Sequence, residues 1–362
     1  MRRRTFIAAA AAAPFFAKAA LADSTTLKSA AAAAGILYGA NARDYALIQQ
    51  YPDLADLMAQ QCGLVESGHD FQWANLRPSP TSFNFDQTDA WMSWAQSKAL
   101  KVASCHLIWH GGQPKWLKHY LTPQNASQML TNHISTVVGR YAGKMYSWVV
   151  VNEAIHPGDG RPDGLRTDSW FQNAGQDYID LAFHTAAQAD PNAILLYNDD
   201  NMETDSASGI QKRKFVLDLL QGMKSRGVPI HGLGMQGHLA GDPGGFVAPG
   251  YATFLHDVAS LGLKLFITEL DLLDTRLGND DATRDNLSAK EYNGFLNTAL
   301  QNKSLSTVIS WSLADKYNWR NGWDPGGSAK GGVVRGLPFG SNLEPTPVFD
   351  AMVSAFRSAP KR

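Results

Sequence analysis

The chain of 362 residues contains only two cysteines, Cys62 and Cys105. This number excludes a disulfide-dense scaffold and a zinc module held by four cysteine ligands. The chain also has no large excess of positive or negative charge, because it contains 32 Lys and Arg and 33 Asp and Glu. A nucleic-acid binder needs a basic face, so we expect no nucleic-acid partner.

Long hydrophobic runs are missing beyond the extreme N-terminus, so the sequence predicts no membrane span in the mature protein. Hydrophobic residues nevertheless make up 44% of the chain, with ten Trp, eleven Tyr and sixteen Phe. This composition is typical of a globular protein with a sizeable core. No Pro/Ser-rich linker divides the chain, which favours one domain over residues 23–362, and we expect a monomer.

The N-terminus has the pattern of a cleavable export signal over residues 1–22. Three arginines are followed by an apolar Ala/Phe stretch, and Ala20-Leu21-Ala22 forms a small-x-small cleavage site. Arg3-Arg4 before Thr5-Phe6-Ile7 resembles a bacterial twin-arginine signal, with an ordinary secretory signal as the alternative. We therefore expect a periplasmic or secreted protein.

Apolar runs with strand character alternate with amphipathic helical patterns along the rest of the chain. The predicted strands are 36–38, 63–66, 101–108, 146–151, 193–197, 230–235, 264–269 and 307–312. The predicted helices between them are 88–100, 124–141, 175–189, 209–227, 251–261 and 288–302. Strict alternation favours a parallel sheet, and eight units favour a single (β/α)8 TIM barrel over a doubly wound sheet.

Polar residues follow six of these strands, which places them together on the C-terminal face of a barrel, where active sites of this fold lie. Two of them are glutamates: Glu153 ends one apolar run, and Glu269 ends another. Cleavage of a glycosidic bond needs one acid to protonate the leaving oxygen and a second carboxylate to attack or to activate water. The pair is therefore a candidate for glycoside cleavage at the C-terminal face, with a helix cap or a salt bridge as the alternative for each glutamate taken alone. We expect neither a metal nor a cofactor.

At this point the motifs resemble glycoside hydrolase family 10, which consists chiefly of endo-β-1,4-xylanases. The resemblance covers residues 35–356 and rests on segments that occur in the family's order: WVVVNEA around Glu153, NDDN at 198–201, VPIHGLGMQGHL at 228–239, ITELDL at 267–272, Trp109-His110, and Trp311 with Trp319. It implies a retaining hydrolase of β-1,4-linked polysaccharide.

The resemblance also implies a role for each matching residue. Glu153 is expected to be the acid/base and Glu269 the nucleophile, while His238 and Asp271 are expected to orient that nucleophile. The expected substrate-binding residues are Asn152, Trp109, His110, Gln236, Trp311 and Trp319. A donor such as His238 beside the nucleophile would favour its ionised form, and flat Trp faces offer platforms for sugar rings.

The chain departs from the family on the side of the non-reducing sugars. The family's Glu-Asn-Glu-x-Lys-Trp is replaced by a segment in which Gly68, His69 and Gln72 stand for Glu, Asn and Lys. In the next motif Cys105 stands for a sugar-contacting His, with His106 beside it as a partial substitute, and Gly112 stands for Gln. On the leaving-group side Asp200 stands for Tyr.

These departures leave alternatives open. The protein is either a xylanase with altered sugar contacts or an enzyme for a branched or modified β-1,4 backbone, such as a bacterial exopolysaccharide, whose substituent occupies room left by the smaller residues. A catalytically weak carbohydrate-binding protein is a further alternative, although both glutamates are present. Cys62 and Cys105 are expected to be free thiols, because their strand positions are staggered.

Other patterns are set aside. Gly232–Gly237 fits the dinucleotide fingerprint, but no helix follows it. His106 and His110 would lie about 13 Å apart on an extended segment, too far to share a metal. The acidic run from Asp271 to Asp285 lacks the spacing of a calcium loop and reads as a solvated loop.

Overall fold

The computed structural model describes residues 25–323, 327–328 and 332–362. The predicted export signal therefore lies outside the described residues. Within them the chain forms nine parallel strands: β1 (Leu37–Ala42), β2 (Leu64–Ser67), β3 (Lys101–Ser104), β4 (Ser147–Asn152), β5 (Ile194–Asp199), β6 (Gly232–Met235), β7 (His238–Leu239), β8 (Lys264–Leu272) and β9 (Leu305–Ser310).

Eight of these strands close into a barrel. β1 to β6 pair in sequence order, β6 pairs with β8, β8 with β9, and β9 with β1. The short β7 is an addition at the C-terminal edge, where it pairs with the end of β8. This arrangement confirms the predicted (β/α)8 TIM barrel.

Helices of 4 to 20 residues pack around the strands. They are α1 (Leu27–Ala33), α2 (Tyr45–Gln50), α3 (Pro52–Gln61), α4 (Trp73–Leu76), α5 (Asp86–Ser97), α6 (Leu117–Tyr120), α7 (Ala126–Arg140), α8 (Ser169–Ala174), α9 (Tyr178–Ala189), α10 (Ala207–Ser225), α11 (Pro249–Ser260), α12 (Asp281–Leu300) and α13 (Pro347–Ser358). In the described residues none of them is both long and apolar enough to cross a membrane.

The six predicted helices are present, and the largest difference is at the start of α12. That helix begins at Asp281, seven residues before the predicted start, because the Asp280 side chain accepts a hydrogen bond from Thr283 N and caps the first turn. The first turns are polar and exposed, so hydrophobic periodicity alone does not reveal them.

Several strand ends differ from prediction; β1, for example, ends at Ala42 rather than at residue 38. Two of the differences shape the C-terminal face. β3 ends at Ser104 rather than at residue 108, which frees Cys105 and His106 from regular pairing. β8 continues past Glu269 to Leu272, and its end pairs with β7 so that His238 faces Asp271. The longer β8 therefore brings two predicted site residues into register.

The barrel interior is filled by a small set of apolar side chains. Leu64, Ala103 and Ile309 form one cluster, and Val149, Leu196 and Phe266 form another. The large core lies between the strands and the helices, where it buries most of the remaining apolar side chains. The barrel is thus a solid support below the polar residues of its C-terminal face.

Candidate active site

Glu153 follows β4 directly and adopts a left-handed backbone conformation, with φ of +55°. Its backbone N–H donates to the Asn198 carbonyl at 2.9 Å, and its own carbonyl accepts from Arg166 Nε at 2.8 Å. A non-glycine residue in this conformation is strained and persists only where its surroundings hold it. Bonds to β5 and to the loop after β4 therefore fix the direction of the Glu153 side chain.

Glu269 lies on β8 and is buried, with 5% of its surface exposed. Its Oε1 accepts a hydrogen bond from Asn198 Nδ2 at 2.9 Å, and its Oε2 lies 3.2 Å from His238 Nε2. Burial alone would raise the pKa of Glu269, but contacts with His106 and His238 outweigh it and lower the pKa to about 2. Glu269 is therefore an ionised carboxylate at neutral pH.

Amide side chains connect the two glutamates. Asn198 Nδ2 also lies 2.9 Å from Asn152 Oδ1, and Asn152 Nδ2 donates to Glu153 Oε1 at 3.2 Å. Gln236 Nε2 reaches the same Glu153 oxygen at 2.9 Å. The predicted residues Asn152 and Gln236 thus contact Glu153, and Asn198 bonds directly to Glu269.

His238 lies between two carboxylates. Its Nδ1 lies 2.8 Å from Asp271 Oδ1, while its Nε2 faces Glu269. Burial would lower the pKa of His238, but Asp271 and Glu269 outweigh burial and raise it to about 10. Asp271 is held in turn by Arg320 Nη2 at 2.9 Å and by Trp319 Nε1. His238 is therefore a cation beside the predicted nucleophile.

A second imidazole approaches Glu269 from the segment after β3. His106 Nε2 lies 3.5 Å from Glu269 Oε1, and both side chains are almost fully buried. Cys105 Sγ lies 3.0 Å from His106 Nδ1. Sequence comparison marked His106 only as a partial substitute for a sugar-contacting His, and did not predict its contact with Glu269.

A histidine and an arginine approach the second carboxyl oxygen of Glu153, Oε2. His110 Nδ1 lies 3.8 Å and Arg166 Nη2 lies 3.9 Å from Glu153 Oε2. Burial and Arg166 lower the pKa of His110. Arg166 was not predicted, because no sequence pattern distinguishes a functional arginine in a long loop from any other. Asn198 lies in the NDDN motif at 198–201, but no role was predicted for it from the sequence.

The three predicted tryptophans contact the two imidazoles that approach Glu269. The Trp109 ring packs against His106 with centroids 4.9 Å apart, and it is only partly buried. Trp311 and Trp319 contact His238, with ring centroids 6.3 and 5.5 Å from the imidazole. Their flat faces border the site and can support the C–H surface of sugar rings.

On the leaving-group side, Asp200 belongs to an ion-pair cluster. Lys212 of α10 is buried and lies 2.6 Å from Asp199 and 2.8 Å from Asp200. Lys212 also donates to the Ile155 carbonyl at 2.6 Å, which ties α10 to the segment that follows Glu153. The cluster replaces the aromatic face that the family resemblance would place at Asp200.

On the opposite side, the structure differs from the expected open room at two positions. A Cβ added at Gly68 would lie 3.2 Å from the Asn41 amide oxygen, and a Cβ at Gly112 would lie 3.0 Å from the Trp109 ring. The side chains of Asn41 and Trp109 thus occupy part of this space. Gln72 donates to the Gly68 carbonyl at 2.7 Å, and the ring of His69 contacts Trp323.

Within the described ranges, no group of three or more His, Cys, Asp or Glu side chains has the arrangement of a metal site. Two carboxylates on one barrel face, one of them held ionised, are the groups needed to cleave a glycosidic bond. On a (β/α)8 barrel, this arrangement of carboxylates is the one that glycoside hydrolases use.

Comparison with known proteins specifies the family. Residues 26–355 match the model of glycosyl hydrolase family 10, so the chain belongs to that family and the predicted resemblance is confirmed. Endo-1,4-beta-xylanase B of Thermotoga neapolitana is 28% identical over 319 residues, which cover 88% of this chain and 86% of the relative. Endo-1,4-beta-xylanase B of Paenibacillus barcinonensis is 32% identical over 277 residues, covering 73% and 81%.

A similar solved structure is native xylanase 10B from Thermotoga maritima, with a TM-score of 0.82 and 27% identity over 92% of this chain and 98% of that one. Xylanase 10B from Thermotoga petrophila, solved in complex with xylobiose, superposes with a TM-score of 0.81, 26% identity, and coverage of 92% and 97%.

Proposed function

We propose that the protein is an endo-acting, retaining hydrolase of β-1,4-linked xylan, with Glu153 as acid/base and Glu269 as nucleophile. The observation that carries this proposal is the side chain of Asn198, which bonds to Glu269 and, through Asn152, reaches Glu153. Retaining hydrolases need their two carboxyl groups close together, about 5–5.5 Å apart. The similarity to xylanases supports xylan as the substrate.

In the first step, a Glu269 oxygen attacks the anomeric carbon, and the bond from that carbon to the leaving oxygen breaks. The leaving oxygen takes the bonding electron pair and receives the proton of Glu153. The low pKa of Glu269, about 2, keeps the nucleophile ionised. The product is a glycosyl ester on Glu269 and a free aglycone.

In the second step, Glu153 removes a proton from water as the water oxygen attacks the anomeric carbon. The ester bond to Glu269 breaks, and its electron pair restores the carboxylate. His238, with a pKa raised to about 10, is a cation that stabilises the returning negative charge. Two inversions at one carbon give overall retention.

Proton NMR of the first product formed from xylohexaose tests this proposal. We expect a β-anomer before mutarotation, and a fall in xylan viscosity faster than the rise in reducing ends. An initial α-anomer, or an absence of hydrolysis of all xylan substrates, would overturn it. Glu269→Gln should remove activity. This variant, purified in the same way, is the control for contaminating hydrolases in the preparation.

A second candidate substrate is a branched or modified β-1,4 backbone. It is favoured by the residues on the non-reducing side, where Gly68, His69, Gln72 and Cys105 provide no charged grip on a sugar. Each lost hydrogen bond between a sugar and a charged side chain weakens the binding free energy by about 1.5–3 kcal/mol. A panel of linear and branched xylans and β-1,4-glucans, compared by kcat/KM, separates the two: faster cleavage of linear xylo-oligosaccharides than of every branched substrate rejects this candidate.

A carbohydrate-binding protein with weak catalysis is the remaining alternative, and undetectable turnover together with oligosaccharide binding in calorimetry would support it.

We also propose that residues 1–22 are removed on export to the periplasm or beyond. Removal takes away three Arg and Lys18 and leaves 28 basic against 33 acidic residues. Mass spectrometry of the protein from the periplasmic fraction tests the cleavage site.

A further inference from the structure

Cys105 and His106 form a contact chain that ends on the predicted nucleophile. Cys105 Sγ lies 3.0 Å from His106 Nδ1 and 3.6 Å from Nε2, and His106 Nε2 lies 3.5 Å from Glu269 Oε1. None of the three residues exposes more than 5% of its surface. Water therefore does not screen the contacts, and each group must find its polar partner within the protein.

The chemistry of the thiol defines which imidazole nitrogen carries hydrogen. Burial, followed by the charges of Glu66 and Glu269, raises the pKa of Cys105, so that the sulfur keeps its hydrogen. A thiol that donates to Nδ1 leaves the neutral imidazole with its hydrogen on Nε2. That hydrogen is the one next to Glu269 Oε1.

We propose that Cys105 and His106 are positioning residues for catalysis: the thiol sets the tautomer of His106, and His106 Nε2–H acts as a second imidazole donor to the nucleophile Glu269. The first donor, His238, serves the other oxygen, Oε2. The proposal rests on the proposed role of Glu269. Cys105 stands where the family resemblance would place a sugar-contacting His. In this proposal Cys105 acts on the Glu269 carboxylate, through His106, instead of on the sugar.

The two chemical steps respond differently to such a donor. During ester formation Glu269 loses negative charge, so a donor to Oε1 stabilises the starting carboxylate more than the transition state. During hydrolysis of the ester the charge returns, so the donor stabilises the transition state. Loss of the donor should therefore slow the second step and leave the first step unchanged or slightly faster.

The chain offers a direct measurement of Glu269 because it contains only six glutamates: Glu66, Glu153, Glu203, Glu269, Glu291 and Glu344. Labelling glutamate with 13C at the side-chain carboxyl gives six resonances, and E269Q identifies the one of interest. In H106M, which keeps the volume but removes the donor, we expect the titration midpoint of Glu269 to rise by about one pH unit, as for loss of a hydrogen bond to a charged group.

Two further variants make the comparison specific. H106Q restores an N–H donor and should return the midpoint to the wild-type value, whereas H184M, at an exposed histidine of α9, should leave it unchanged. C105A removes the thiol without touching the imidazole and should raise the midpoint less than H106M does. C105A also serves as the test if H106M does not fold.

Kinetics with a 2,4-dinitrophenyl β-xylobioside provide the second readout, because the good leaving group makes ester hydrolysis limiting. We expect H106M to lower kcat and KM together by about 3- to 10-fold, with kcat/KM changed by less than about twofold. A fall in kcat/KM at constant KM, or equal behaviour of H106M and H106Q, would overturn the inference.

The titration needs no turnover, so the two proposals fail separately. An unchanged Glu269 midpoint in folded H106M, or in folded C105A where H106M does not fold, overturns the role of Cys105 and His106. A wild-type protein that hydrolyses no xyloside overturns the proposed function, whatever the midpoint.

Discussion

His238 of β7 faces Asp271 of β8 in register, with Nδ1 of the imidazole 2.8 Å from Oδ1 of the carboxylate. The other imidazole nitrogen is 3.2 Å from Glu269. One strand pairing thus places a cation between two buried carboxylates, and it holds the predicted nucleophile in its ionised form. The pH dependence of the protein follows from this arrangement.

The pKa of His238 is raised from 6.5 to about 10, so its contribution to stability is complete below about pH 6.5 and is lost as the pH rises through about 10. The pKa of Glu269 is lowered from 4.5 to about 2, so its contribution is present above pH 4.5 and is lost as the pH falls toward 2. Urea unfolding at pH 6, 8 and 10 should show a decline that H238Q lacks. Parallel profiles for the two proteins would contradict this prediction.

Glu153→Ala should slow substrates with poor leaving groups most, because an acidic leaving group needs no proton from the enzyme. We expect a loss of about 10²- to 10⁴-fold on xylan, the usual worth of general acid catalysis, and a much smaller loss on a dinitrophenyl glycoside. Azide should restore part of the rate and give a β-glycosyl azide, identified by NMR. An α-glycosyl azide would exclude the double displacement.

Asn198→Ala should reduce kcat on a 2,4-dinitrophenyl β-xylobioside, where ester hydrolysis is limiting, because Asn198 donates to Glu269 Oε1 as the negative charge returns to that carboxylate. A hydrogen bond to a charged group is worth about 1.5–3 kcal/mol, which corresponds to about 10- to 150-fold. Asn286→Ala, at an exposed position of α12, is the control and should retain wild-type kcat. Equal kcat of the two variants on this substrate would remove Asn198 from the catalytic arrangement.

Lys212→Met should destabilise the protein by about 3–5 kcal/mol, because it leaves Asp199 buried without its cation. Burial already raises the pKa of Asp199 to about 7 even with Lys212 present. Lys214→Met on the same helix breaks an exposed pair with Asp218 and a long contact with the Phe215 ring, and should cost less than about 0.5 kcal/mol. Chemical denaturation compares them, and D199N in the K212M background should recover part of the loss.

Cys62 and Cys105 are both buried and unbridged, in agreement with the prediction of free thiols. Burial raises the pKa of each thiol, so neither should react with a thiol reagent while the protein is folded. Titration with an aromatic disulfide should give no free thiols in the native state and two after unfolding without reductant. A zero value after unfolding would indicate a bridge.

The barrel was predictable because its elements repeat and their hydrophobic periods differ, 2 for strands and 3.6 for helices. Strand ends were not. The segment from Cys105 to Ile108 is as apolar as a strand, yet the regular ladder with β4 is interrupted after Ser104 and resumes only at Leu107 and Ile108. Conversely, β8 extends to Leu272 because β7 supplies a partner that no local pattern announces.

The glutamates and their neighbours at strand ends were predictable because the fold collects strand ends on one face. Contacts formed across the barrel were not. His106 and Glu269 lie 163 positions apart in sequence, and Arg166 reaches Glu153 from a loop. Such contacts depend on side-chain direction, which the period of a pattern does not specify. The filling of space at Gly68 by Asn41 has the same origin.

The left-handed backbone at Glu153 means that folding and chemistry favour different residues at this position. Glycine adopts such a conformation without a steric penalty, whereas any side chain stores about 1 kcal/mol or more of strain. Selection for heat resistance alone would therefore accept Gly at 153, and selection for turnover would keep Glu. A thermostability screen of this protein without an activity filter should consequently enrich inactive variants at its proposed acid.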